Sequence, residues 1–199
     1  MPRRLVIAVD CDDVLIETTR FLVMDYNDKF NTNVNLEDAH KPNNPDWGTD
    51  DNGLILDRLS EIQNSKKYSE IKPVTEAINA IHRLVKGNEL HLITARDGSV
   101  EVATMAMLDK YFSGCFKSVE HVGKDRSKGE VCRQIKADVL IDDNVRHLLS
   151  ALDYGMPSGG ALHFGNYIWN RLDNPIEGVI ECHNWEVVEL EVQKIAERK

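Results

Sequence analysis

Three carboxylates follow the first apolar segment of the chain. Residues 5–9 (LVIAV) lead directly into Asp10, and Asp12 and Asp13 come immediately afterwards. A buried strand that ends in clustered carboxylates is costly, because like charges at close range resist joint ionisation. We therefore expect a cation to offset these charges, and we expect the chemistry of the site to depend on that cation and on a nucleophile beside it.

The same pattern occurs a second time, far along the chain. Residues 139–141 (VLI) are followed by Asp142, Asp143 and Asn144. In an open parallel sheet, ligands bind in the crevice outside the carboxyl ends of the strands. If both segments are central parallel strands, four or five carboxylates meet in that crevice. Hard divalent cations take oxygen ligands, so the pattern predicts a Mg²⁺ site.

A hydroxyl and an amine are predicted at the same edge of the sheet. Thr94 follows the apolar segment 90–93, and Lys128 begins a predicted helix, where backbone amides also face anions. The rivals for the cationic role are Lys124, Arg126 and Lys136. Carboxylates, a hydroxyl, an amine and a divalent metal are the set needed for phosphoryl transfer, which depends on positioning and charge stabilisation.

The elements that position these residues alternate between strands and helices. Apolar segments predict strands over residues 5–10, 90–93, 116–121, 139–141, 161–164 and 179–181. Sequence patterns typical of helices predict them over residues 17–30, 54–62, 74–86, 100–112, 127–136, 145–154 and 185–198. Pro73 stands near the first turn of the third helix, and Ser127 is the predicted N-cap of the fifth. This alternation predicts an α/β fold with a mostly parallel sheet covered by helices on both faces.

One segment interrupts the alternation after the first strand. Residues 31–52 are rich in Asn, Pro and Gly, including Pro42 and Gly48, and are predicted to form turns and loops. We therefore expect residues 17–72 to form a small helical insert, and residues 1–16 and 73–199 to form the core domain. Because the insert begins shortly after Asp10, it is placed to cover the crevice as a cap.

Composition narrows the classes of partner. The chain has 199 residues, with 24 Lys and Arg against 33 Asp and Glu and a net charge of −9. This balance argues against nucleic acid polymers and anionic membranes as partners, because both require basic surface. The four cysteines are widely spaced and contain no CxxC pair, which indicates free thiols rather than a zinc site. We expect a cytoplasmic protein without a membrane span, and the formation of a homodimer is left open.

The order of the chemical motifs is itself informative. A DxD sequence, a strand-terminal Thr, a Lys and a DD pair follow one another across roughly residues 5–145. This order resembles the haloacid dehalogenase superfamily of aspartate-nucleophile phosphatases. The resemblance implies a Rossmann-like core, Mg²⁺ and a phospho-aspartyl intermediate. The segments 10–15 (DCDDVL), 93–96 (ITAR) and 141–144 (IDDN) are most similar to the 5'(3')-deoxyribonucleotidase branch, although that branch has Gly where this chain has Asp13.

The resemblance also implies roles for the catalytic residues. Asp10 would attack phosphorus and form the covalent intermediate. Asp12 would protonate the leaving oxygen and then deprotonate the hydrolytic water. Thr94 would hydrogen-bond the phosphoryl oxygens, and Lys128 would neutralise Asp10 and the developing phosphoryl charge.

Metal and substrate contacts follow from the same matched positions. The implied Mg²⁺ ligands are Asp10, the backbone carbonyl of Asp12, and Asp142, with Asp143 orienting a metal-bound water or another ligand. The predicted substrate contacts are Thr94, Ala95, Arg96, Lys128 and Trp47. Within this set, Arg96 is either a second phosphate contact or a surface charge. Trp47, in a polar loop, is the aromatic candidate for contact with a base.

Three functions remain open from the sequence. The preferred hypothesis is a Mg²⁺-dependent phosphomonoester hydrolase, in particular a 5'-nucleotidase that acts on (deoxy)nucleoside monophosphates. The near alternative is a phosphatase of a sugar phosphate or another small phosphorylated metabolite. The alternative from a different class is a non-catalytic module that accepts and holds a phosphoryl group, as receiver-type signalling domains do.

Overall fold

A parallel sheet forms the centre of the molecule. The computed structural model describes residues 3–41, 43–96, 98–123 and 125–198, and six strands occur among them. They are β1 (Val6–Val9), β2 (Glu89–Thr94), β3 (Ser118–His121), β4 (Val139–Asp142), β5 (Ala161–Phe164) and β6 (Val179–Cys182). All neighbours are parallel, and their order is β3-β2-β1-β4-β5-β6. The order reverses between β1 and β4, which places a ligand crevice at the carboxyl ends of these two strands.

Helices cover both faces of this sheet. The α-helices of the described residues are α1 (Thr18–Phe30), α2 (Asn52–Gln63), α3 (Ala77–Leu84), α4 (Glu101–Tyr111), α5 (Lys128–Ile135), α6 (Val145–Asp153) and α7 (Trp185–Glu197). Successive side chains of a strand point to opposite faces. Accordingly, Ile7 and Val9 pack in a hydrophobic cluster with α3, α4 and α7, whereas Ala8 packs in a second cluster with α5 and α6. The predicted α/β fold with two covered faces is therefore confirmed.

The predicted helices and strands are present, with one notable difference at a boundary. Ser127 caps α5 as expected, because its side chain accepts a hydrogen bond from the backbone N–H of Glu130 (3.1 Å). The helix predicted from residue 74 begins only at Ala77. Glu76 has a left-handed backbone (φ 64°), and Pro73 instead forms an antiparallel bridge with Ile16. Pro42, in the predicted loop, lies outside the described residues.

The segment after β1 leaves the core and returns to it at one place. The Glu17 N–H donates to the Lys72 carbonyl (3.0 Å), and the Val74 N–H donates to the Leu15 carbonyl (2.9 Å). Between these contacts lie α1, α2 and short 3₁₀ turns. Their buried side chains form a hydrophobic cluster of their own, which we call the insert cluster: Val23, Tyr26, Val34, Trp47, Ile55 and Ile62. This cluster is the basis for proposing that residues 17–72 form a separate cap.

Two expectations from composition can be compared with the fold. All four cysteines (Cys11, Cys115, Cys132 and Cys182) are free and buried, as predicted. None of the helices in the described ranges combines the length and apolar composition that a membrane span requires.

Candidate active site

The acidic residues of the two strand ends meet in the crevice. β1 and β4 are neighbours, and the Asp10 N–H extends their pairing by donating to the Ile141 carbonyl (2.9 Å). One carboxylate oxygen each from Asp10, Asp142 and Asp143 lies within 4.8 Å of the others. The parallel arrangement of the two strands thus brings together side chains that are more than 130 residues apart in the sequence.

Lys128 supplies the cation that the clustered carboxylates require. Its Nζ atom lies 2.6 Å from Asp10 Oδ1 and 2.7 Å from Asp142 Oδ2, and the side chain has no solvent exposure. Burial alone would lower the pKa of Lys128, but the charges of Asp10 and Asp142 outweigh it and raise the pKa above its usual value. Lys128 is therefore a permanently charged ammonium held between two carboxylates.

The rivals to Lys128 have other positions. Arg126 contacts Glu120 (3.5 Å) and Gln134 (2.8 Å) at the surface. Lys136 ends α5 in a left-handed conformation (φ 56°). Lys124 lies outside the described residues.

The carboxylate cluster has features that fit a divalent metal. Asp10 Oδ1 is buried and accepts no hydrogen bond of acceptable geometry, although it forms an ion pair with Lys128. Burial raises the pKa of Asp10 to about 7, with Lys128 opposing the shift. Burial, followed by the charge of Asp142, raises the pKa of Asp143 well above its usual value. One ammonium does not neutralise three carboxylates, and an oxygen-only donor set suits a hard cation such as Mg²⁺.

Asp12 has a different environment from Asp10. Arg96 holds its carboxylate with Nε at 2.9 Å from Oδ2 and Nη2 at 2.6 Å from Oδ1, and the Thr18 hydroxyl donates to Oδ1 (2.5 Å). Burial alone would raise the pKa of Asp12, but Arg96 outweighs it and lowers the pKa. The Asp12 side chain is therefore ionised, and it is turned to Arg96 rather than contributing to the carboxylate cluster.

Arg96 is a buried residue whose donors are used within the protein. It is 7% exposed, so it is not the surface charge that one of the two predictions described. Besides Asp12, its guanidinium donates to the Thr104 hydroxyl (3.0 Å) and to the hydroxyl of Tyr68 in the insert. Arg96 thus connects the insert to Asp12.

The other predicted substrate contacts fall in two places. Thr94 ends β2 and is fully buried, and its hydroxyl accepts a hydrogen bond from the Arg96 N–H (3.3 Å). Ala95, the next residue, is exposed. Trp47 is only 7% exposed and packs edge-on against Tyr26, with ring centroids 4.7 Å apart. Its ring therefore belongs to the insert cluster and does not present a free face to a base.

Asp13 uses a backbone conformation that normally favours glycine. Its φ is 55°, in the left-handed region that glycine adopts without steric cost. The buried Asp13 side chain accepts a hydrogen bond from the Thr19 N–H (3.0 Å) and also contacts the Thr19 hydroxyl. The first turn of α1 is satisfied in this way, so Asp13 has a structural position beside the site.

A cavity of about 350 Å³ opens beside Asp143. Its lining comes from the insert, the end of β4 and start of α6, and the strand β5 with the segment after it. The residues are, respectively, His40; Asp143, Asn144 and Arg146; and His163, Trp169, Asn170 and Arg171. Sequence reasoning missed Trp169 and Arg171, because residues 165–178 have no periodic apolar pattern. It also missed Arg146, because nothing in the predicted helix over residues 145–154 distinguishes this arginine from a surface charge. The cavity adjoins the carboxylate cluster, because Asp143 belongs to both.

Comparisons with known proteins agree with this fold. No protein-family model and no curated protein sequence matches the chain. Among solved structures, a haloacid dehalogenase-like hydrolase of Streptococcus pneumoniae is 13% identical, with a TM-score of 0.68 over 96% of this chain and 99% of that chain. A candidate phosphatase of Clostridium difficile is 15% identical, with a TM-score of 0.69 over 96% and 100%. A candidate HAD-hydrolase of Bacillus subtilis, bound to magnesium, is 12% identical, with a TM-score of 0.66 over 98% and 100%. Sheet order, strand-end acids and these structural neighbours together show that the chain has the fold of haloacid dehalogenase-like hydrolases.

Proposed function

We propose that this protein is a Mg²⁺-dependent phosphomonoester hydrolase that works through an aspartyl phosphate on Asp10. The observation that carries the proposal is the buried Nζ atom of Lys128, which lies 2.6 Å from Asp10 and 2.7 Å from Asp142 at the carboxyl ends of β1 and β4. A carboxylate paired with an ammonium is suited to attack an anionic phosphoryl group, because the ammonium neutralises both partners.

The reaction proceeds in two displacements. In the first, a carboxylate oxygen of Asp10 forms a bond to phosphorus, and the bond between phosphorus and the ester oxygen breaks. In the second, a water oxygen bonds to phosphorus, and the bond to Asp10 breaks to release inorganic phosphate. Lys128 stabilises the phosphoryl charge in both displacements, and Thr94 at the end of β2 is the proposed hydroxyl donor.

Asp12 is suited to take the proton from the attacking water. Its pairing with Arg96 keeps it ionised, which is the state required of a general base. Protonation of the leaving oxygen, the other role implied by the resemblance, requires Asp12 to acquire a proton and to separate from Arg96. Substrates with good leaving groups therefore suit this arrangement best.

The residues that would hold Mg²⁺ are Asp10, Asp142 and Asp143, which supply the clustered oxygens. The metal, when bound, adds positive charge that stabilises the phosphoryl oxygens. The backbone carbonyl of Asp12 is retained as a proposed ligand on the basis of the resemblance. The magnesium bound to the Bacillus subtilis neighbour supports the choice of Mg²⁺ as the cation.

For the substrate, the motif resemblance supports a nucleoside monophosphate, so that the protein would be a 5'-nucleotidase. The volume of the cavity beside Asp143, about 350 Å³, supports this proposal, because the nucleoside needs a site next to the phosphate.

A second candidate substrate class is favoured by the packing of the aromatic residues. In the insert, Phe21 packs on Tyr68, and Tyr26 packs on both Phe30 and Trp47. These rings contact one another rather than offering an open platform for a base. The cavity lining is instead rich in charged and amide side chains, which suits a sugar phosphate or another small polar metabolite.

The test is hydrolysis of p-nitrophenyl phosphate, followed by a panel of nucleoside monophosphates and sugar phosphates. We expect activity that requires Mg²⁺, stops with EDTA and is lost in Asp10→Asn. The matched control is Asp153→Asn, which changes an exposed carboxylate at the end of α6 and leaves activity intact. Activity that persists in EDTA or in Asp10→Asn would overturn the mechanism, and preference within the panel decides between the two substrate classes.

A further inference from the structure

The cavity beside Asp143 has a charge opposite to that of the molecule as a whole. Arg146 and Arg171 line it, and Asp143 is the one acidic side chain in its described lining. The chain as a whole carries a net charge of −9. Two arginines in one cavity of an acidic protein reverse the local field, and a cavity of this kind attracts anions.

Both arginines are exposed at the mouth of the cavity, and neither is paired with another protein group of the described structure. Within the described residues, neither the Arg146 nor the Arg171 guanidinium forms an ion pair or a hydrogen bond. By contrast, Arg96 and Lys128 in the same crevice are paired with carboxylates of the protein. The two cavity arginines therefore retain all of their donors for a ligand.

A third unused donor lies in the same lining. The Nε1 atom of Trp169 is buried and has no hydrogen-bond partner in the described structure. Buried donors are almost always satisfied in native proteins, so the unpaired indole N–H is available to an acceptor that a water or a ligand supplies. Two other donors of the lining are used within the protein: Asn170 Nδ2 donates to the Phe164 carbonyl (2.8 Å), and His163 Nε2 lies 3.0 Å from the Asp143 carbonyl oxygen.

The faces of the Trp169 ring are also occupied. Tyr167 is stacked on it with ring centroids 4.6 Å apart, and His40 from the insert is stacked with it at 5.3 Å. The indole is thus already used in stacking with two rings of the protein. The indole edge and the two guanidiniums thus offer hydrogen bonds and positive charge, but no aromatic platform.

We propose that the cavity lined by Arg146, Arg171 and Trp169 binds a second anionic group on the leaving group of the substrate. The substrate is then a phosphomonoester that carries a carboxylate or a second phosphate in addition to the scissile phosphate. This inference rests on the proposed phosphohydrolase function, because Asp143 belongs to both the carboxylate cluster and the cavity. Guanidinium groups suit such anions, since they form paired charge-assisted hydrogen bonds with carboxylates and phosphates.

The experiment compares substrates that differ in the second anion. Glycerol 3-phosphate and 3-phosphoglycerate differ by a carboxylate, and fructose 6-phosphate and fructose 1,6-bisphosphate differ by a phosphate. We expect kcat/KM to be roughly tenfold or more higher for the doubly anionic member of at least one pair, as a charge-assisted contact predicts. The pair with the larger ratio identifies whether the second anion is a carboxylate or a phosphate.

Variants connect this preference to the cavity. Arg146→Gln and Arg171→Gln should each reduce the ratio of kcat/KM between the two members of the preferred pair by roughly tenfold. The control is Arg83→Gln on α3, an exposed arginine paired with Glu189 of α7. Because α3 ends just before β2 begins, Arg83 lies near the amino ends of the strands, away from the crevice at their carboxyl ends. The control should leave both the ratio and the activity at wild-type values.

Calorimetric binding to the Asp10→Asn variant separates this proposal from the proposed function. Tighter binding of 3-phosphoglycerate than of glycerol 3-phosphate, or of the bisphosphate than of the monophosphate, should appear there and weaken when Arg146 or Arg171 is also changed. Equal binding within both pairs, or a preference that survives both arginine variants, would overturn the anion site even if p-nitrophenyl phosphate is hydrolysed. An absence of any hydrolysis with the binding preference intact would overturn the proposed function alone.

Discussion

Asp10 and Asp12 are two residues apart but have different environments. Asp10 is buried beside Lys128, and burial raises its pKa to about 7. Arg96 outweighs burial at Asp12 and lowers the pKa there. Carboxylates whose pKa values are moved apart by their surroundings are a recurring basis of acid–base division in active sites. Asp12 is thereby kept ionised, which is the state that its proposed role as a general base requires. Asp10, by contrast, depends on nearby cations for its ionisation.

The pair formed by Asp12 and Arg96 gives a prediction about stability. Arg96→Met should lower the free energy of unfolding by about 3 kcal/mol, because Asp12 is left as a largely buried charge without its partner. Urea denaturation at pH 7 measures this loss. The double variant Asp12→Asn/Arg96→Met should recover much of it, because the unpaired charge is removed together with the guanidinium.

A double-mutant cycle checks that the loss belongs to this pair. The Asp12 pKa is lowered from 3.8 in the folded state, so its pairing contributes stability above that pH and loses it as the pH falls through the folded pKa. The coupling energy should therefore be the same at pH 7 and pH 5. Additive single effects, with no coupling at either pH, would contradict the ion pair.

At the scale of elements, the start of α5 depends on its close approach to α6. A Cβ atom added at Gly129 would lie 2.3 Å from the backbone oxygen of Ser150. Glycine therefore allows the contact that places Lys128, the preceding residue, between Asp10 and Asp142. The position of the Lys128 ammonium is set by helix packing as well as by its own ion pairs.

Gly129→Ala should consequently destabilise the fold. We expect a loss of about 1–3 kcal/mol, because the added methyl group meets the backbone and forces α5 and α6 apart. Thermal or urea denaturation measures this loss, and hydrolysis should fall with it as Lys128 is displaced. The matched control is Gly87→Ala, where an added Cβ would have no neighbour within 4 Å. Equal stability of the two variants would show that the helices adjust without cost.

Much of the fold could be predicted because its signals are local. Apolar segments that end in Asp10 and Asp142 marked two strands, and the alternation of strands and helices marked the parallel sheet. The late start of α3 was not predictable from Pro73, because the pairing of Pro73 with Ile16 is a tertiary contact. Trp47, in a polar local sequence, is buried by a ring from a distant turn of α1.

The sequence could predict only those residues of the candidate site that lie at the ends of strands or at the start of a helix. The meeting of Asp10, Lys128 and Asp142 followed from strand ends and a helix start in one crevice. The pairing of Arg96 with Asp12 and Tyr68 joins three separate segments, and no spacing in the sequence indicates it. The same holds for the cavity, in which His40 of the insert meets Trp169 across 129 positions of sequence.

At the scale of the whole molecule, net charge and local charge have opposite signs around the crevice. The protein carries a charge of −9, yet Lys128 and Arg96 are buried beside the carboxylates, and two further arginines line the adjoining cavity. An anionic substrate is thus compatible with an acidic protein, because the field inside a cleft is set by its nearest charges.

We expect the carboxylate cluster to make the stability of the whole chain responsive to a divalent cation. A ligand that binds only the folded state stabilises it by about 2.7 kcal/mol at a concentration 100 times its Kd. For a chain of 199 residues this corresponds to a rise in Tm of about 5–10 °C.

We expect such a rise with MgCl₂ in a thermal unfolding experiment, and not with KCl at equal ionic strength. Asp143→Asn should remove most of the rise, because it takes one negative charge from the cluster without removing a partner of Lys128, whereas Asp153→Asn should preserve it. A Mg²⁺-dependent rise of the same size in Asp143→Asn would place the metal elsewhere in the molecule, and an equal rise with KCl would show that general screening of the acidic surface is responsible.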